Sequence, residues 1–286
     1  MDVCSPSRDC ARAPEVPTVE SKFILVLLAS TTGATQCLRI ASVMSERLGQ
    51  KLRLAHAEIG PRSILLPSQE QLSEYEVEHL ADRERLETEK LHDVVSQWTS
   101  TAGISAEFDL YKGDEWRVMR HYRKTASMVV LAAPHTQPVG HREALRAALL
   151  RTRHPVVMVP PAWEGSFGRR LMVGWWDVPP LRRALRAFRP FLAAAEQVEA
   201  VTVGQDESVL EGARAALAPI ASGASYRMVA ADGRRTADVL LDAAAAYQAD
   251  GLVMGAFRRG EILNWLARGT STRLIQSSSL PLLMHP

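Results

Sequence analysis

Met254-Gly255-Ala256-Phe257 closes an apolar run and leads into a basic loop, Arg258-Arg259-Gly260. After seven intervening residues comes Arg268-Gly269-Thr270-Ser271-Thr272-Arg273. Residue types in this order suit anion recognition. A glycine at a strand end lets backbone amides approach a phosphate, a second cluster of small residues before a helix offers more amides and hydroxyls, and arginines add charge-assisted hydrogen bonds. Arg268 is ambivalent, since it either reaches the phosphates in place of a glycine or blocks them. Trp176 and Asp177 stand at the end of another apolar run. An indole there ordinarily packs, but it can also stack on a planar ring.

The elements that would position these residues occur twice. Ile24–Leu28 overlays Leu171–Trp175 at an offset of 147, and Cys37, Ala41, Met44, Leu48 and Leu54 fall on Ala184, Phe188, Phe191, Ala195 and Val201. At an offset of 123, Ala126–Pro134 overlays Ala249–Phe257, and each copy ends on a proline-led apolar run, Pro155–Val159 and Pro281–Met284. Long self-similarity indicates two copies of one domain. Apolar runs predict strands at Phe23–Leu28, Leu52–Ala57, Ser105–Tyr111, Met128–Ala132 and Val156–Val159, then at Leu171–Trp175, Val198–Val203, Ser225–Val229, Leu252–Gly255 and Leu282–Met284. Several are continuous rather than alternating, as in parallel strands covered on both faces. Amphipathic stretches lie between them. One, with Ala184, Phe188, Phe191 and Ala195 on its apolar side and Arg182, Arg186 and Arg189 opposite, predicts a helix. The alternation predicts α/β architecture: two tandem doubly wound domains with five-stranded parallel sheets. The boundaries are a flexible tail at 1–20, a first domain at 21–160 and a second at 169–286. The short linker between them implies that the domains pack together. In a sheet of this kind ligands bind beyond the carboxyl ends of the strands, where the strand order reverses.

The 286 residues, 47% apolar with a net charge of +2, describe a soluble globular protein and make no electrostatic case for nucleic acid. No apolar run approaches the roughly 20 residues of a membrane span, and no signal-peptide core precedes the first strand. Cys4 and Cys10 lie in the tail and Cys37 on the apolar side of a helix, a poor disulfide framework that points to the cytoplasm. Gln69 to Thr99 reads as a long acidic helix, a solvated face with pairs such as Arg83–Glu87 and Arg85–Glu89, or else a surface for an unknown protein partner. His135 and His141 have no companions at metal-ligand spacing, so no metal is expected.

Both copies resemble universal stress protein domains, and the tandem resembles the two-domain bacterial members, over nearly all of residues 21–286. The strongest stretches are 237–255 and the first strand and helix of each copy. The resemblance implies the adenine nucleotide alpha hydrolase-like fold, a role in the stress response, and a pair of domains within one chain that mimics the family's dimer and is open to further dimerisation. Family members that bind ATP carry a glycine after the fourth strand, another three residues on, then nine residues and a Gly-Ser or Gly-Thr pair, with an aspartate ending the first strand near the ribose and adenine. Here Gly255 and Gly269-Thr270 match, whereas Arg258 replaces the second glycine, Gly260 comes two places late, and ten residues separate Arg258 from Gly269. Trp176 takes the aspartate position with Asp177 one beyond. The first copy departs further, with Ala29 and Ala132 at the aspartate and first-glycine positions, and is expected to be empty.

The resemblance therefore implies a nucleotide site in the second copy alone, drawn from Trp176, Asp177, Met254, Gly255, Arg258, Gly260, Arg268, Gly269, Thr270 and Ser271, with ATP as the ligand. No general base or nucleophile is evident, so no enzyme is expected. Two other readings stand beside it: an interaction or scaffold protein that has lost both sites, and a slow ATPase or autophosphorylating protein using Thr270, Ser271 or Thr272.

Overall fold

The computed structural model describes residues 22–60, 73–134, 139–204, 206–256 and 269–286. The tail, His135 and the loop carrying Arg258, Gly260 and Arg268 lie outside them. The first half runs β1 (Phe23–Leu27), α1 (Ala34–Leu48), β2 (Leu52–Glu58), α2 (Glu74–Ala102), β3 (Ala106–Lys112), α3 (Glu115–Tyr122), β4 (Ala126–Ala132), α4 (Val139–Arg146) and β5 (Val156–Val159), with a π-helical turn at Ala147–Arg151. The second runs β6 (Arg170–Gly174), α5 (Pro179–Ala187), α6 (Arg189–Ala194), β7 (Gln197–Val203), α7 (Ser208–Leu217), β8 (Ser225–Val229), α8 (Thr236–Tyr247), β9 (Gly251–Gly255), α9 (Thr270–Ser277) and β10 (Leu282–His285).

The strands form one ten-stranded sheet in the order β3-β2-β1-β4-β5-β10-β9-β6-β7-β8. Neighbours within each half are parallel. The halves meet where β5 and β10 pair antiparallel, Met158 facing Leu282 and Val156 facing Met284. The two apolar edge strands thus cover each other instead of lying open to association. Because the pairing is antiparallel, the carboxyl ends of the two sets of strands point to opposite ends of the molecule.

Side chains alternate along the strands and feed two cores. Ile24, Val26, Val157, Val173 and Leu283 pack with α1, α2, α5, α6 and α7. Leu25, Leu27, Val156, Met158, Met172 and Leu282 pack with α3, α4, α8 and α9. Helices therefore cover both faces, which is why these strands read as unbroken apolar runs.

Three expectations need correction. The stripe from Ala184 to Ala195 is two helices, divided at the buried Phe188. Pro190 has no N–H to give the carbonyl of Arg186, so the helix cannot run through. The acidic helix begins at Glu74 behind a Ser73 capping box, and Glu87 is not paired with Arg83: Oε1 accepts from the N–H and hydroxyl of Thr31, each at 2.7 Å. Arg85 does reach Glu89, at 4.0 Å. Within the arginine stripe, Arg182 binds Asp177 and Arg189 reaches the carbonyl of Pro219.

The connection between halves is tied down at several points. Trp163 and Phe167 are buried, Arg39 and Arg47 of α1 donate to the carbonyls of Gly165 and Gly168, and the Arg47 guanidinium lies over the Phe191 ring. The Asp250 carboxylate accepts from three successive backbone amides, those of Gly168, Arg169 and Arg170, at 3.0, 2.8 and 3.1 Å.

Candidate functional site

At the carboxyl ends of β6 and β9 lies a pocket of about 300 Å³, at the small end of the range for ligand sites. It sits where the strand order reverses, between β9 and β6. Leu240, Leu252, Met254 and Leu274 form its floor, Val178, Pro180 and Leu181 one wall, and Trp176 its rim. Thr236, Thr270 and Ser271 supply the hydroxyls. No ionisable side chain lines it among the described residues.

Three helices point their N-termini at this pocket: α5 through Pro180 and Leu181, α8 through Thr236, and α9 through Thr270 and Ser271. Their N-cap residues are Val178, Arg235 and Gly269, and none makes a side-chain capping bond. α5 opens on Pro179 and Pro180, which have no N–H, so the uncapped amides are those at the starts of α8 and α9, and the helix dipoles make this end of the pocket electropositive without a formal charge. The result is an apolar slot beside a neutral, donor-rich rim, suited to a ligand with a flat apolar part and an electron-rich or anionic part.

The sequence candidates divide. Trp176, Met254, Gly255, Thr270 and Ser271 line the pocket, and Gly269 caps the helix at its edge. Asp177 does not line it. Both its carboxylate oxygens are engaged by Arg182, from Nε at 2.6 Å and Nη2 at 2.8 Å, a charge-assisted pair that holds the carboxyl below its usual range. Gly255 is required for a reason other than phosphate access: a Cβ there would lie 2.7 Å from the backbone nitrogen of Leu181 and 2.9 Å from Cβ of Pro180. The missing side chain lets β9 approach the start of α5. Arg258, Gly260 and Arg268 lie outside the described residues. Thr236, Leu240 and Pro180 were missed by sequence reasoning; the first two come from the helix after β8, remote in the chain from any motif.

In the first half the corresponding strand end packs against the start of α1. The methyl of Ala132 lies 3.0 Å from where a Cβ on Gly33 would stand, with Cα of Pro161 at 3.2 Å, so Gly33, at φ 76°, closes against both. The Thr31 bonds to Glu87 bring α2 across the β1–α1 loop. Behind it, Ser30 bonds His141 at 2.9 Å and the ring of His56 bonds the carbonyl of Leu28 at 2.7 Å. Burial holds His141 below the usual histidine range. α7, the counterpart of α2, is 10 residues long against 29 and provides no such cover.

Residues 183–286 match the model of the universal stress protein family. No functionally curated protein matches the chain. Among solved structures, a universal stress protein from Archaeoglobus fulgidus DSM 4304 superposes with a TM-score of 0.66 at 15% identity, over 91% of this chain and 96% of its own. A functionally unknown protein from Pseudomonas aeruginosa PAO1 does so with a TM-score of 0.58 at 13% identity, over 92% of each. These likenesses extend the shared fold over more than 90% of the chain. A universal stress protein in complex with cAMP matches over 41% of this chain and 96% of its own, at 23% identity and a TM-score of 0.35.

Proposed function

We propose that this protein acts in the stress response by binding one adenine nucleotide, in its second half only; residues 183–286 match the universal stress protein family model, and a structure of that family shares the fold over 91% of the chain. The observation that carries the reading is the apolar pocket at the ends of β6 and β9, with the uncapped amides at the starts of α8 and α9 beside it. The slot takes the base and sugar, and the amides and hydroxyls of Thr270 and Ser271 take phosphate oxygens at the start of α9. ATP is the proposed ligand.

The reading is one of binding and not of turnover. Hydroxyls line the pocket, but no carboxylate or imidazole stands among its described residues to take a proton from water or from a threonine. The cytoplasm is the proposed location; no described helix is long and apolar enough to cross a membrane. Binding would signal through a protein partner or a change of conformation.

Calorimetry of the full chain with ATP tests this directly. One site per chain is expected, and none in Thr236→Trp, where an exposed position at the mouth receives a side chain large enough to block it. Two sites per chain, or unchanged affinity in Thr236→Trp, refute the placement. Absence of any binding leaves an interaction protein of the same fold.

A further inference from the structure

Trp176 is the one large aromatic side chain of the described residues that stands at the rim of this pocket with its face open: it is 55% exposed. Among the described residues no ring or cation contact engages it, whereas Trp163 lies beneath Arg39, Trp116 beneath Arg151, and Trp175 is buried in the core. Both tryptophans line the pocket, Trp175 buried and Trp176, next along the chain, left exposed at its edge. A half-exposed indole beside an apolar slot gains burial only when something flat lies on it.

The next residue supplies the second half of the argument. Reading a ribose diol ordinarily takes a carboxylate or amide that accepts from the 2′-hydroxyl. Asp177 is adjacent to Trp176, but Arg182 occupies both its oxygens, and no other carboxylate or side-chain amide lines the pocket among the described residues. Ring and sugar are thus treated unequally.

Resting on the nucleotide-binding reading above, we propose that Trp176 is the specificity-determining residue of the pocket. It accepts a planar heteroaromatic ring on its indole face, and the site does not distinguish ribose from 2′-deoxyribose. The ligand class is a flat nitrogenous ring carrying an anionic tail, recognised by its ring.

The test is calorimetric titration of the full chain and three variants with ATP, 2′-deoxy-ATP and tripolyphosphate. ATP and 2′-deoxy-ATP are expected to bind within about twofold of each other, and tripolyphosphate not to bind where ATP saturates. Trp176→Ala should lose about 5- to 150-fold in affinity, the span of base–aromatic stacking, and Trp176→Phe should recover most of that loss. Asp177→Asn should stay within about twofold of wild type. Thermal melting of each variant checks folding, which an exposed side chain should not disturb. If ATP binds in wild type but Trp176→Ala leaves affinity unchanged, or 2′-deoxy-ATP binds more than tenfold more weakly than ATP, the stacking inference falls while the nucleotide site stands. If no adenine nucleotide binds, both fall.

Discussion

Single residues decide how tightly this protein's backbone can close. Gly255→Ala should destabilise by about 1–3 kcal/mol in urea unfolding, the cost of an added methyl in a packed contact, because its Cβ would stand 2.7 Å from the Leu181 nitrogen. The loss should appear with or without ligand. Asp250→Ala should cost about 2 kcal/mol, the order for hydrogen bonds to a charged group, since three amides of the linker lose their acceptor. Glu115 carries a pH effect. It is 1% exposed, one carboxylate oxygen has no hydrogen-bond partner among the described residues, and burial, with Asp114, Glu143 and Glu84 adding repulsion, pushes its pKa up to about 8. The folded state therefore holds a proton that the unfolded state releases near 4.5. Its contribution is fully present below pH 4.5 and lost as pH rises through 8, at up to about 1.4 kcal/mol per pH unit. Urea midpoints at pH 5, 6.5 and 8 should fall less steeply in Glu115→Gln than in wild type. Residue types at the pocket were legible where the repeat exposed them, but their directions were not. Gly255 stood out in the sequence, yet what its absent Cβ would touch depends on α5, more than 70 residues earlier.

At the scale of elements, the strands were legible to within one or two residues, the central ones because helices cover both faces and keep the runs apolar. The helices were harder to delimit. The stripe through Phe188 and Phe191 continues in space across a break that only Pro190 explains. In α2, Thr88, Leu91 and Val95 carry the buried stripe, and the turns before them run past the sheet with Glu84 and Glu87 facing loops. Helical spacing shows only neighbours three and four residues away, so a bond from Glu87 to Thr31, 56 residues distant, was invisible. Glu87→Ala should release these turns: amide exchange across residues 74–87 should quicken, while Leu91 to Ala102 keeps its protection. Equal protection in both variants would show that the Thr31 bonds do not hold the helix.

The whole molecule is a single sheet with two ends. Two copies, a short linker and apolar final strands made an intimate pairing foreseeable, and the β5–β10 ladder fulfils it. What composition could not reveal was the difference between the two ends, where the 29-residue α2 bonds across the β1–α1 loop through Glu87 and the 10-residue α7 stands in the corresponding place. The pairing predicts that a fragment of residues 169–286 will not remain monomeric. With β5 gone, the Leu282–Met284 edge is bare and self-complementary in the antiparallel sense, so two fragments should join β10 to β10. Sedimentation should show a dimer, and Leu283→Lys in the fragment should dissolve it.

That ladder also changes how the halves can vary. In a dimer of identical subunits every substitution appears twice, so a site cannot be closed on one side and retained on the other. Joining the copies in one chain and holding them through β5 and β10 ends that obligation, while the permanent pairing keeps either half from being diluted away or exchanged for a foreign one. A helix of 29 residues in the first half and one of 10 in its place in the second are differences that only such a tethered pair can carry together.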